Sequence, residues 1–341
     1  MKLLENTISC GCAAKYPSDK LLNILEFNGD NNHSYDYEDA FIHEVNVEDN
    51  YVTLAQSVDV IAPIVNNPYK YGAIAAAHAL SDLYAVNAKP ISAMNICCFP
   101  DNDNFISIGK EILRGAFDKL REANCVLAGG HTVTDNNNNI KYGLSVTGSI
   151  ESYTPILRKS GLKINEVLIL TKPLGIGTLV TALKLDIDTI NNEDRIYEVC
   201  SKLNNINDII TEFYLTGGTD VTGFGLGGSL VECCKASNCS VKITHVPLMK
   251  EAINYYNTGI ICNRAIENYK VYKDLTTFES PEKNIYTYGL FEPQTSGGLL
   301  LSVDEDIVDD LLVKLKNRGF DSYIIGRVIE KDSKLIHNNI K

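Results

Sequence analysis

The 341-residue chain lacks the segments that would place it in or across a membrane. It has no run of about 18 apolar residues, so no transmembrane helix is expected. The N-terminal MKLLENTISC has neither an apolar core nor a cleavage site and does not have the form of a secretory signal peptide. We therefore expect a cytoplasmic protein with no membrane partner. Its length and its 45% hydrophobic content favour about two globular domains.

Positive charge is scarce. The chain has 31 Lys and Arg residues against 43 Asp and Glu residues, a net charge of −12. An acidic chain repels phosphate backbones, which argues against broad nucleic-acid binding. Any phosphate-bearing ligand would need local neutralisation by a metal ion or by a few lysines.

The ten cysteines do not form the compact disulfide framework of a small secreted domain. Two pairs are adjacent in sequence, and adjacent cysteines rarely bridge each other. We interpret most of them as small core residues in a reducing compartment. They are Cys97, Cys98, Cys125, Cys200, Cys233, Cys234 and Cys262.

The familiar nucleotide-binding motifs are also missing. There is no GxxxxGK[ST] loop, no GxGxxG fingerprint between a strand and a helix, and no Ser/His/Asp arrangement that spacing would support. Three glycine-rich turns are present instead, at Gly129–Gly130, at 217–225 and at Gly297–Gly298. Glycine lets backbone N–H groups approach phosphates, although a glycine pair often marks only a turn.

Four aspartates lie in unusual surroundings. They are Asp39, Asp59, Asp82 and Asp220. Asp82 is the most informative, because its apolar neighbours in the predicted helix 72–86 imply burial. A buried carboxylate is costly unless it is paired or bound to a metal. Each aspartate alone could cap a loop or pair with a lysine, but together they suit Mg²⁺ bridging to nucleotide phosphates.

The N-terminal segment Cys10-Gly-Cys12-Ala-Ala-Lys15 could carry reactive chemistry. A thiolate is the nucleophilic form of cysteine, and a nearby ammonium lowers the thiol pKa. The small residues leave the backbone free to close over a ligand. Two alternatives stay open at this point, a frayed arm with an accidental CxC and a soft-metal site.

Hydrophobic periodicity predicts strands and helices in both halves of the chain, hence an α/β or α+β fold. Predicted strands lie near 51–59, 89–98, 125–128, 142–150, 166–171, 239–245, 297–303 and 322–329. Predicted helices lie near 18–26, 72–86, 105–120, 193–215, 230–236 and 306–317, with one more starting near Thr178. We divide the chain into an N-terminal arm (1–35), an N-terminal domain (36–155) and a C-terminal domain (156–341). His78, on the apolar helix, is interpreted as a satisfied core residue.

Several motifs together resemble one family. They are CAAK (12–15), EDA (38–40), SDLYA (81–85), KPI (89–91), LAGGHT (127–132), LTKPLGIGTL (170–179), TDVTGFGLGG (219–228), EPQTSGGLLL (292–301) and IIGRV (324–328). In this order, and covering nearly the whole chain, they resemble the selenophosphate synthetases (selenide, water dikinases) of the aminoimidazole-ribonucleotide-synthetase-like superfamily.

This resemblance implies a two-domain fold and a homodimer in which the N-terminal halves pair in a β-barrel-like interface, with ATP bound nearby. The implied reaction converts ATP, selenide and water to selenophosphate, AMP and phosphate with the help of Mg²⁺. A selenium-delivery protein would be a further partner. By position, Cys12 matches the family's essential Cys or selenocysteine and Lys15 its essential lysine. The metal and nucleotide positions are matched by Asp39, Asp82 and Asp220 (Mg²⁺), by Asp59 (ATP and metal), and by Gly129 and Gly130 (ATP).

The chain departs from the family pattern in places. Glu38 precedes Asp39 where a second aspartate is usual, His78 stands where asparagine is common, Glu292 replaces an aspartate, and 260–265 matches loosely. The rival interpretations are another ATP-dependent kinase of the superfamily, such as thiamine-monophosphate kinase, a hydrogenase-maturation dehydratase, and a non-enzymatic selenium or metal carrier. The CAAK segment argues against the thiamine-monophosphate kinase. The absence of cysteine after Cys262 argues against the dehydratase.

Overall fold

The computed structural model describes residues 2–7, 10–11, 38–47, 50–103, 105–135, 139–187, 191–279 and 284–340. The predicted helix 18–26 and the predicted site residues Cys12 and Lys15 lie outside the described residues. Two β-sheets organise the described part, one built from residues 41–150 and the other from residues 167–338. The proposed division at 155/156 falls in the connection between them.

The first sheet has five strands in the order β1-β2-β5-β3-β4. The strands are β1 (Phe41–Val47), β2 (Asn50–Ile61), β3 (Lys89–Phe99), β4 (Val126–Thr134) and β5 (Lys141–Ile150). All pairs are antiparallel except β3–β4. Ser57 and Asp59 of β2 pair with the buried Val146 and Leu144 of β5. Because side chains alternate along a strand, these two polar groups point to the covered face of the sheet.

Two helices cover that face, α1 (Pro68–Ala85) and α2 (Phe105–Glu122). The start of α1 is fixed by Asn67, whose side chain accepts a hydrogen bond from Lys70 N at 3.1 Å, and by Pro68 in the first turn. As its composition predicts, α1 is buried on nearly all sides. Asp82 is an exception to the expected burial, because it is only half-buried.

The opposite face of the first sheet carries exposed apolar side chains. Phe41 is 68% exposed, Val58 58% and Met94 50%. The register places further exposed residues on the same face, namely Val45, Val52, Val60 and Val133. A contiguous apolar surface of this kind is typical of a protein–protein interface.

The second sheet has the order β7-β10-β6-β11-β8-β12-β9. Its strands are β6 (Val167–Leu170), β7 (Gly217–Asp220), β8 (Ser240–Ile243), β9 (Thr276–Phe278), β10 (Leu299–Val303), β11 (Tyr323–Ile329) and β12 (Ile336–Asn338). The helices of this half are α3 (Ile176–Lys184), α4 (Asn192–Cys200), α5 (Asn207–Glu212), α6 (Gly225–Ser237), α7 (Lys250–Asn257), α8 (Asn263–Tyr272), α9 (Ile285–Phe291) and α10 (Val308–Asn317). Helices pack on both faces of this sheet, while α3, α4 and α7 join the core of the N-terminal half. Across the described ranges, no helix is long and apolar enough to cross a bilayer.

Several predicted elements differ from the structure. The single helix predicted over 193–215 is wrong, because α4 and α5 are separated by a non-helical stretch. There Asn204 donates hydrogen bonds to Ser81 Oγ at 3.0 Å and to Gly297 O at 2.8 Å, which holds the stretch against the neighbouring half. Gly129 and Gly130 lie inside β4 rather than in a turn, and the start of the predicted turn 217–225 is β7.

Candidate active site

Three of the predicted aspartates each accept a hydrogen bond from a hydroxyl group of a neighbouring element. Ser57 Oγ on β2 donates to Asp82 Oδ2 at 2.5 Å. On the preceding residue of α1, Ser81 Oγ donates to Asp220 Oδ2 at 2.5 Å. Asp220 is the last residue of β7 and is buried. The structure therefore brings carboxylates from both halves of the chain to one turn of α1.

Asp39 contacts the same strand through Thr219, whose side chain points to the opposite face of β7 from that of the next residue, Asp220. Thr219 Oγ1 lies 2.7 Å and 3.0 Å from the two oxygens of Asp39. Lys159 Nζ lies 2.7 Å from Asp39 Oδ1 and 3.0 Å from Glu232 Oε2. Burial opposes the charge on Lys159, but the two carboxylates hold its pKa above the ordinary lysine value. A positive charge thus already sits on Asp39.

Asp59 contacts the buried His78 of α1. His78 Nε2 lies 3.3 Å from Asp59 Oδ2, and His78 Nδ1 accepts a hydrogen bond from Ser296 N at 3.3 Å. Because Nδ1 is an acceptor, we assign the ring proton to Nε2, the nitrogen that faces Asp59. His78 is a satisfied buried residue, as predicted, yet its partners link Asp59 to the loop that contains Ser296.

That loop, 292–298, is anchored from two sides. Ser296 adopts a left-handed φ of 50°, and its carbonyl accepts from Lys172 Nζ at 2.9 Å. Lys172 also donates to Lys202 O at 2.7 Å, and its burial lowers its pKa to about 7. At the other end, Glu292 accepts a hydrogen bond from Thr178 N, and its burial raises its pKa to about 7. Two buried titratable groups therefore hold the loop in place.

Gly129 and Gly130 do not join the acidic cluster within one chain. Their φ angles are 131° and 151°, and a Cβ on Gly130 would lie 2.3 Å from Asn95 O, so only glycine fits there. Their strand β4 is separated from β2 by β5 and β3. Three strand spacings are about 14 Å, which sets the glycines apart from Asp59.

The start of the CGCAAK segment is fixed beside loop 292–298. Gly11 N donates to Ala62 O at 3.2 Å. With a φ of 50°, a Cβ on Gly11 would lie 2.5 Å from Ile64 Cγ2 and from Thr295 Oγ1. A larger residue would clash, so Gly11 permits this close approach.

The cluster suits a hard cation that arrives with further ligands. Within the described ranges, no three His, Cys, Asp or Glu side chains are close enough to hold an ion by themselves. However, Mg²⁺ commonly uses one or two carboxylates together with substrate phosphates and water. The donors here are carboxylates, and the ammonium of Lys159 already occupies a cation position on Asp39. The residues present fit Mg²⁺ bound together with a phosphate ligand.

Sequence reasoning missed the groups that connect the aspartates. Ser57 lies two residues before Asp59 and Ser81 lies next to Asp82, so strand alternation and chain adjacency could have flagged both. Lys159 gave no signal, because a single lysine is not distinctive, and Lys172 lies in the matched stretch LTKPLGIGTL but was assigned no role. Their partners are distant in the chain and become visible only in the fold.

Known proteins resemble this chain along nearly its whole length. Residues 37–150 match the model of the AIR synthase related protein, N-terminal domain, and residues 163–338 match that of its C-terminal domain. A selenide, water dikinase from Clostridioides difficile (strain 630) is 38% identical over 347 residues, covering 98% of this chain and 97% of the relative. The chain belongs to the selenide, water dikinase family. Another dikinase of the family, from Caldanaerobacter subterraneus, is also 38% identical. The match covers 97% of this chain and 96% of that relative.

Solved structures show that the dikinase family fold is shared more widely. Thiamine Monophosphate Kinase from Aquifex aeolicus is 16% identical with a TM-score of 0.65, covering 94% of this chain and 95% of its own. The HypE–HypF complex gives 16% identity and a TM-score of 0.67, with the same coverage of 94% and 95%. At this identity the likeness concerns the fold alone. It confirms the predicted α/β architecture.

Proposed function

We propose that the protein is a selenide, water dikinase that converts ATP, selenide and water to selenophosphate, AMP and inorganic phosphate. The observation that carries this proposal is the 38% identity to a selenide, water dikinase over 98% of the chain. The position of Asp82 and Asp220 at one turn of α1, with Asp39 beside the neighbouring Thr219, supports it, because phosphoryl transfer needs local charge neutralisation.

Asp39, Asp82 and Asp220 would hold Mg²⁺ together with the nucleotide phosphates, each ion using one or two of these carboxylates. Bound there, the ion would neutralise phosphate charge during transfer. The chain itself has a net charge of −12 and supplies little positive charge for this purpose. Lys159 has a second carboxylate partner in Glu232. Lys159 would therefore still have an ion-pair partner, Glu232, if Asp39 bound the metal ion.

The CGCAAK segment would supply the remaining groups. In our proposal Lys15 adds a positive charge near the phosphates, and Cys12 handles or shields selenium rather than attacking phosphorus. The position of Gly11 against Thr295 supports this arrangement, because it starts the segment beside the loop that contacts His78 and thereby Asp59.

We further propose a homodimer through the exposed apolar face of the first sheet. The exposure of Phe41, Val58 and Met94 supports this face as the interface. Such a dimer would also explain why the strand of Gly129–Gly130 lies about 14 Å from Asp59 within one chain. A second copy would bring its own glycine strand to the nucleotide, so that ATP lies near the interface.

Product analysis tests the proposal. Wild-type protein is incubated anaerobically with ATP, Mg²⁺ and selenide, and the products are read by ³¹P NMR and nucleotide chromatography. We expect selenophosphate and AMP in equal amounts, lost in Asp82→Asn and Cys12→Ser but retained in Asp310→Asn, an exposed aspartate on α10. ADP as the final nucleotide would favour another kinase of the superfamily. Stoichiometric selenium binding without ATP turnover would favour a carrier.

A further inference from the structure

A cavity of about 380 Å³ lies beside Cys10 and loop 292–298, from which Pro293 and Thr295 line it. It is bounded by α3, by the stretch that leads into α8 and by Cys10 and Thr295. Thr295 lines the cavity, whereas the next residue, Ser296, donates its N–H to His78 beside Asp59. The cavity and the acidic cluster are therefore neighbours that share one loop.

The charged side chains of this cavity favour an anion. Among the described residues that line it, Lys184 and Arg264 are positive and Glu267 is negative. Arg264 Nη1 lies 2.8 Å from a carboxylate oxygen of Glu267, and Lys184 donates to Thr7 O. The side chains that line the cavity therefore carry a net charge of +1, in a chain whose net charge is −12. A concave site lined by the minority charge concentrates ligands of opposite charge.

Two thiols face the same space, Cys10 and Cys262. Burial raises the pKa of both thiols, and that of Cys262 reaches about 11, although the nearby Lys184 lowers the pKa of Cys10 in part. Both therefore stay protonated at neutral pH and do not repel an anion. Sulfur is soft and polarisable, which suits contact with an equally soft selenium atom.

We propose that this cavity binds the selenium substrate as an anionic selenium nucleophile, with Lys184 and Arg264 as the groups that attract it. This inference rests on the proposed function and identifies the second substrate's site. Hydrogenselenide has this chemistry, and so does a perselenide carried on a small thiol, which needs a second thiol as two-electron reductant (forming the disulfide) before its selenium is at the selenide level. The volume of about 380 Å³ is in the range of small-molecule pockets and leaves room for the carried form.

Steady-state kinetics with both substrates varied separately tests the assignment. Lys184→Met and Arg264→Met should each raise the KM for selenide roughly tenfold, the effect of losing one charge-assisted contact. The KM for ATP should stay unchanged. Lys314→Met is the matched control, because Lys314 pairs with Glu212 and does not line the cavity. Sodium selenide alone and glutathione-bound selenium are assayed in parallel, and the larger KM effect identifies the form that the cavity holds.

An unchanged selenide KM in both variants, or a rise in the KM for ATP instead, would overturn the assignment. If thermal unfolding shows that Arg264→Met is not folded, Lys184→Met and the charge-preserving Arg264→Lys test the assignment instead. Arg264→Lys should have a selenide KM close to that of the wild type. A readout without turnover is the selenium anomalous signal in crystals soaked anaerobically with selenide, expected between Lys184 and Arg264. Its absence there contradicts the proposal.

A wild-type protein with no selenide-dependent AMP formation would refute the proposed function itself. Active protein with an unchanged selenide KM in the variants would refute only the assignment of the cavity.

Discussion

Replacing Lys159 by methionine tests the electrostatics around Asp39 without mutating a proposed metal ligand. The side chains of Lys159 and Asp39 are each 8% exposed, and their charged atoms are 2.7 Å apart. Lys159→Met would leave Asp39 and Glu232 facing each other without the ammonium between them. Removing one partner of a buried ion pair costs about 3–5 kcal/mol. At about 2 °C per kcal/mol for a chain of this size, the Tm should fall by about 6–10 °C.

The assay is calorimetric unfolding in chelator, repeated with Mg²⁺ and ADP. Lys314→Met is the control, because its pair with Glu212 is about half exposed (47% and 52%) and should contribute at most about 1 kcal/mol. Since Mg²⁺ with nucleotide would return a positive charge to Asp39, it should raise the Tm of Lys159→Met more than that of the wild type. A Lys159→Met protein as stable as Lys314→Met in chelator would refute the buried-pair reasoning. Equal stabilisation of mutant and wild type by Mg²⁺ and ADP would refute the link to the metal.

Three further predictions follow from the same contacts. Ser81→Ala removes a hydrogen bond to Asp220 worth about 1 kcal/mol, so the Mg²⁺ concentration for half-maximal activity should rise about fivefold in a metal titration. Burial raises the pKa of Glu292 from 4.5 to about 7, so the folded state binds the proton more tightly than the unfolded state. Wild-type stability should therefore fall relative to Glu292→Gln as pH rises from about 4.5 through about 7, by on the order of 3 kcal/mol in urea unfolding, and a pH-independent difference would contradict this. Val58→Asp combined with Met94→Glu should convert the proposed dimer to a monomer in sedimentation velocity, whereas a dimer that persists in this variant would exclude that face.

Strong periodicity made much of the fold predictable. The apolar run of α1, the three- and four-residue spacing of α2 and the alternation along β2 each identified an element close to its observed bounds. The break between α4 and α5 was not predictable, because it depends on Asn204 bonding to Ser81 and Gly297, residues far away in the chain. Local pattern cannot report a tertiary contact that overrides helix propensity.

For the candidate site, the sequence indicated individual aspartates but not their contacts. The aspartates stood out because a carboxylate among apolar or glycine neighbours conflicts with its surroundings unless a partner exists. Their hydroxyl partners Ser57, Ser81 and Thr219 were not identified, although Ser57 and Ser81 lie close in sequence to Asp59 and Asp82. The contact of His78 with Asp59 was also hidden, because burial predicts a satisfied histidine but not its partner.

The most direct test of the central claim is where metal binds. Crystals grown with Mn²⁺ in place of Mg²⁺ and a non-hydrolysable ATP analogue would locate the ion by its anomalous signal. We expect metal peaks at coordination distance from carboxylate oxygens of Asp39, Asp82 and Asp220, with the nucleotide phosphates completing the coordination. Nucleotide bound elsewhere, with Asp39 still paired to Lys159 and no ion among the three carboxylates, would contradict the account.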